Sequence, residues 1–113
     1  MHEVGIMEGA LDMARRLMEK NGGTRLMRVH MTIGSLSGVV PEALQSAFLA
    51  LKDAYAARDA ALDVTWVEAQ CHCDACRADF FFTEHGYICP GCGDPALAIL
   101  SGRELELTRV EWE

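Results

Sequence analysis

Two Cys-x2-Cys pairs, Cys73 with Cys76 and Cys89 with Cys92, stand twelve residues apart and constrain this chain more than any other feature. Each pair sets two thiolates on one tight turn. Pro90-Gly91 and Gly93 let the second turn bend, so four sulfurs can close a tetrahedron suited to Zn2+. Four thiolates leave no position for a catalytic water, so the expected ion is structural. The stretch around them, about 25 residues, is well below the ~40 residues that sustain a core unaided, and metal binding would supply the missing stability.

Two other uses of such cysteines fit poorly. A thioredoxin-type redox pair comes singly, at a strand-to-helix junction, and nothing here has that setting. A nucleic-acid zinc ribbon needs cations, yet the insert carries Arg77 against Asp74, Asp79, Glu84 and Asp94, a field that repels phosphate. Phe80-Phe81-Phe82 therefore reads as a ribbon strand packing on the metal site rather than a platform for bases.

Outside the insert the apolar pattern changes period. Val4, Met7, Leu11, Ala14 and Met18 step by three and four, one stripe of a helix that Asn21-Gly22-Gly23 stops. From Arg25 the period is two, with Met27, Val29, Met31 and Ile33 on one face of a strand. Pro41 opens a second helix that buries Leu44, Ala47, Phe48, Leu51 and Tyr55. Leu62, Val64 and Trp66 mark a second strand. Leu105 and Leu107, then Val110 and Trp112 in the opposite phase, mark a third, with a bulge or an edge near Thr108-Arg109.

The strand-helix-strand unit predicts a parallel pair, and the returning strand an antiparallel neighbour. The expected fold class is α+β: a small three-stranded mixed sheet with two helices packed on it, plus an inserted zinc-ribbon-like domain. The expected division is 1–69 with 96–113 for the α/β domain and 70–95 for the insert.

At 113 residues there is room for one ordinary domain or a small domain with an insert. Ten Lys and Arg against seventeen Asp and Glu, a net charge of -7, argue against nucleic acid as a partner. The opening Met1-His2-Glu3 lacks a basic leader, and no apolar run approaches the ~18 residues of a membrane span. The expectation is a cytoplasmic protein without membrane attachment. Five cysteines, an odd number, agree with a reducing compartment.

Met1-His2-Glu3 offers an amine, an amide nitrogen and an imidazole at chelate spacing, a nitrogen-rich set that suits square-planar Ni(II) or Cu(II). α-Amines and imidazoles both lose their protons near neutrality, so binding needs little pH adjustment. Taken alone, three residues are also compatible with a frayed terminus.

The whole chain supplies further signals in order: Met1-His2-Glu3, the segment Ile33-Gly34-Ser35-Leu36-Ser37-Gly38-Val39-Val40-Pro41-Glu42-Ala43-Leu44, Ala60-Ala61-Leu62, the paired knuckles with Cys89-Pro90-Gly91-Cys92-Gly93, and Gly102-Arg103-Glu104-Leu105. Together they resemble the HypA/HybF family of nickel metallochaperones for [NiFe]-hydrogenase maturation over essentially the full length. The resemblance implies no enzyme activity. It implies a nickel ligand at His2, with main-chain nitrogens of Met1 and its neighbours and with Glu3 completing or supporting the site. It also places structural Zn2+ on Cys73, Cys76, Cys89 and Cys92, and implies a GTPase delivery partner of HypB type and the hydrogenase large subunit as recipient of transported Ni2+. The alternative function is a zinc-ribbon accessory protein that binds nucleic acid or a transcription partner.

Two departures from the family pattern are Cys71-His72 ahead of the first knuckle and Asp94 after Cys92-Gly93. Knuckle symmetry leaves Cys71 spare, and the competing arrangement brings Cys71, His72 or His85 into the zinc shell. His30 reads as a polar sheet residue, and the six methionines mostly as core filling.

Overall fold

A computed structural model describes residues 2–113. The elements run α1 (His2–Lys20), β1 (Leu26–Gly34), α2 (Pro41–Leu51) with a 3-10 turn over Lys52–Tyr55, β2 (Ala61–Val67), β3 (Gln70–Cys73), β4 (Ala78–Phe81), β5 (Ala98–Ser101) and β6 (Leu105–Trp112). They form two three-stranded sheets, ordered β2-β1-β6 and β4-β3-β5. The chain divides into two compact units, Met1–Thr32 with Gly38–Thr65 and Glu106–Glu113, and Ile33–Ser37 with Trp66–Leu105.

In the first unit α1 ends as its glycines dictate. Gly22 takes φ +79, a left-handed conformation that costs glycine little, and its N–H reaches the Glu19 carbonyl at 3.2 Å while Gly23 N–H reaches that of Met18 at 3.0 Å. These are the two bonds of a Schellman cap. Gly23 is also required by space, because the Trp112 ring and the Met18 side chain fill the volume a Cβ would take. Met7, Ala10, Leu11, Ala14 and Met18 of α1 are buried, as are Leu26, Val29 and Met31 of β1 and Leu44, Ala47 and Phe48 of α2, and α1 packs on α2. The helical and strand periods of the sequence thus converge on one core.

Across the sheet, Arg28 pairs with Asp63 and His30 with Thr65, steps in the same direction, so β1 and β2 are parallel. Arg25 with Glu113 and Thr32 with Thr108 step in opposite directions, so β6 is antiparallel to β1. The phase change at Thr108-Arg109 belongs to an edge strand, where neither face is continuously covered.

The second unit is wider than the expected 70–95. Ala98–Ser101, placed by the sequence reading outside the insert, pairs antiparallel with β3, and β4 pairs on the other side of β3. Cys71 lies beside Phe80 and Ile99 in this ladder. It is fully buried. The three phenylalanines do not act together: Phe80 shares the Cys71 position in the ladder, Phe81 is exposed, and Phe82 sets its ring edge-on to Tyr87 at 4.6 Å. The ribbon's aromatic packing is thus with Tyr87.

Candidate metal centres

β3 ends at Cys73 and the chain turns at once, so Cys76 returns beneath it. Cys89 and Cys92 form the second knuckle. The residue after each knuckle has positive φ, Arg77 at 53° and Gly93 at 79°, which makes the two turns local equivalents. The four Sγ atoms lie within 4.8 Å of one another, with Cys73 to Cys92 at 3.6 Å and Cys76 to Cys89 at 3.9 Å. Backbone N–H groups point at the inner sulfurs, Cys76 N to Cys73 Sγ at 3.5 Å and Gly91 N to Cys89 Sγ at 3.3 Å. Cys73 and Cys89 are buried, and Cys76 and Cys92 face solvent.

The surroundings sort the protons. Amide donation from Cys92 and then Gly91 holds the Cys89 thiol down at about 7. Hydrogen bonding to Cys92, Cys89 and Cys73 pushes Cys76 up to about 12. A sulfur cluster that already favours one thiolate, cradles it with N–H dipoles and offers three further thiols fits a thiophilic divalent cation with tetrahedral preference. Every ligand position is filled by sulfur, so the arrangement can hold an ion but offers no open position for chemistry.

The competing ligands lie elsewhere. His72 is tied to Asp79 at 2.7 Å and approaches Asp74 at 3.6 Å, while His85 is exposed beside Glu84 at 3.6 Å. His30 bonds Thr65 at 2.8 Å within the first sheet.

At the start of α1, His2 is about half exposed, at 53%, whereas the neighbouring Glu3 side chain is 12% exposed. His2 Nδ1 is 3.5 Å from Glu3 Oε2, and the same oxygen accepts a hydrogen bond from Val40 N–H at 3.0 Å. That bond, with a second from Glu3's own amide, holds the Glu3 carboxyl below its ordinary range. The first N–H groups of a helix have no intrahelical acceptor, so the amides beside His2 are not committed to the helix ladder. Met1, expected to contribute its amine, lies outside the described residues. The Val40 contact was not legible in the sequence, because one partner is a backbone amide and the residues are far apart in the chain. Its only trace there is the Ile33–Leu44 segment, whose residue types indicate no partner for Glu3.

A two-helix α+β unit with a four-cysteine ribbon is the architecture of a small metal-handling protein. A family model described as "Hydrogenase/urease nickel incorporation, metallochaperone, hypA" matches residues 1–112. The "Hydrogenase maturation factor HypA" of Picosynechococcus sp. is 39% identical over 111 residues, covering 98% of each chain. That of Geotalea uraniireducens is 34% identical over 113 residues, covering 100% of each. Among solved structures, "Solution structure of HypA protein" superposes with a TM-score of 0.70 at 25% identity, covering 100% of this chain and 97% of the other. The Ni metallochaperone HypA from Helicobacter pylori gives 0.67 at 22% identity, covering 97% and 96%, a likeness of fold. The chain belongs to the HypA family of hydrogenase maturation factors. Membership makes it a nickel-incorporation metallochaperone by class, with partners in hydrogenase maturation. Among the described residues no helix is long and apolar enough to cross a membrane.

Proposed function

We propose that this chain binds Ni(II) at its N-terminus and passes it to the [NiFe]-hydrogenase large subunit in the cytoplasm, with a HypB-type GTPase as delivery partner. The observation that carries this reading is the exposed His2 imidazole beside helix-terminal amides, at a point where the neighbouring Glu3 side chain is held in place. His2, the terminal amine of Met1 and the first main-chain nitrogens make a nitrogen-rich, planar set that suits Ni(II). The His2 imidazole is about half exposed. An incoming ligand from a recipient can therefore attack the metal without prior unfolding, as a carrier requires. The zinc ligands are Cys73, Cys76, Cys89 and Cys92, and their closed shell gives the ribbon its fold without taking part in transfer. The chain performs no chemical turnover.

Nickel titration of the untagged protein, followed by calorimetry and visible absorption, tests this. Wild type should bind one Ni(II), His2→Ala should not, and a one-residue N-terminal extension should weaken binding severely by removing the amine. Undiminished affinity in both variants sinks the N-terminal assignment.

A further inference from the structure

We propose that the Gly38–Val40 turn ahead of α2 is the seat that fixes the nickel-binding N-terminus, and that Glu3 is a positioning residue gripping this seat, not a nickel ligand through its carboxylate. The inference rests on the N-terminal nickel reading and deepens it.

Three observations converge, all within the first compact unit. Val40 is the N-cap residue of α2, followed by Pro41 at the first helical position, and no side chain of its own segment caps it. In a capping box the N-cap amide is satisfied by an acidic residue three positions on. Here Glu3 supplies that oxygen from another helix, at 3.0 Å. The carboxylate also sits in the first turn of α1, so it lies at the positive ends of two helix dipoles at once. A carboxylate so engaged, with its side chain 12% exposed, has little to gain by leaving for a metal.

The second observation is His2. Its Nδ1 is 3.5 Å from the same Glu3 Oε2, so one oxygen holds the turn and orients the imidazole together. The third is Gly38, whose φ of +82° is a glycine conformation and whose missing Cβ would have His2 Cε1 as its nearest neighbour, at 4.0 Å. The turn and the imidazole are thus neighbours at van der Waals distance. Ordering of a ligand by a hydrogen-bonded neighbour typically changes metal affinity by about 10–100-fold, without a ligand being lost.

Two readouts on Glu3→Ala and Glu3→Gln test this. Glutamine keeps a carbonyl oxygen for Val40 N–H but is a poor nickel ligand, whereas alanine keeps neither property. In the metal-free chain, hydrogen exchange at the Val40 amide should accelerate roughly tenfold or more in Glu3→Ala and stay near wild type in Glu3→Gln. Nickel affinity should fall by about 10–100-fold in Glu3→Ala and be largely restored in Glu3→Gln. Unchanged Val40 exchange in Glu3→Ala overturns the seat. Loss of nickel in Glu3→Gln with Val40 still protected overturns the positioning role and makes the carboxylate a ligand. Should His2→Ala retain nickel while Val40 behaves as expected, the nickel reading fails and the helix-to-turn anchor stands, so the two failures are separable.

Discussion

Gly34 and Gly102 meet backbone to backbone: the Gly102 carbonyl occupies the volume that a Cβ on Gly34 would fill. The same carbonyl accepts Leu36 N–H at 2.7 Å, and Gly102 itself, at φ +113°, has the Ala69 main chain 2.7 Å from where its own Cβ would go. No flexible side chain is available to give way. Gly34→Ala should therefore lower stability by about 1–3 kcal/mol or more, through forced backbone displacement. Gly9→Ala, on the exposed face of α1 with nothing within 4 Å, should instead raise it by about 0.5–1 kcal/mol. Urea unfolding of both variants checks the contrast, and equal effects would show that the close approach is not a constraint.

The core prediction follows from α1. Leu11 is fully buried and Met13, two residues on, is 60% exposed. Leu11→Ala should cost about 2–5 kcal/mol, because it leaves a cavity between packed helices as well as removing apolar burial. Met13→Ala should stay within about 0.5 kcal/mol. Thermal unfolding midpoints that shift equally would mean that the helix face has been misassigned.

These contrasts mark what was readable in the chain. Met7, Leu11, Ala14 and Met18 are legible as one stripe because a helix repeats its burial every few residues, and Val29, Met31 and Ile33 are legible because a strand repeats every second one. β3, β4 and β5 have four residues each, too few for a period to declare itself. The knuckles are legible because metal chemistry fixes spacing in sequence as well as in space. Glu3 and Val40 are not, since a backbone amide leaves no residue type to read.

Cys71 and Cys73 should differ sharply in their metal phenotype. Cys71 Sγ is not in the four-sulfur cluster, and its side chain is buried between neighbours Phe80 and Ile99 in the ladder. Cys71→Ser should retain one zinc per chain, with a modest loss of stability from placing a hydroxyl there. Cys73→Ser should lose the ion or bind it far more weakly, and the ribbon should lose the stability that the metal supplies. Metal analysis together with zinc-edge X-ray absorption decides this: four sulfur neighbours in wild type and in Cys71→Ser are expected. A nitrogen in the shell would bring His72 or His85 back as a ligand.

Zinc affinity should climb with pH, and the four thiols should not titrate alike. In the metal-free chain Cys89 is lowered from 9.0 to about 7 by the amides of Cys92 and Gly91. A depressed acid stabilises the fold fully above its unfolded value, and this support is lost as pH falls through about 7. Cys76 behaves oppositely: raised from 9.0 to about 12 by its bonds to the other sulfurs, it favours the fold while protonated and withdraws that support as pH rises from 9.0 toward 12. The metal-free ribbon should therefore be most stable between these two transitions, near the point where Cys89 is ionised and Cys76 is not. Because metal ligation requires thiolates, zinc uptake should release protons, and more of them below about pH 7, where Cys89 is still protonated, than above it. Thiolate ultraviolet absorbance of the metal-free chain, with proton release measured by calorimetry in buffers of different ionisation enthalpy, checks both halves. A first thiol that ionises at the ordinary value, or an affinity flat with pH, would show that the N–H groups around Cys89 do not prepare the site.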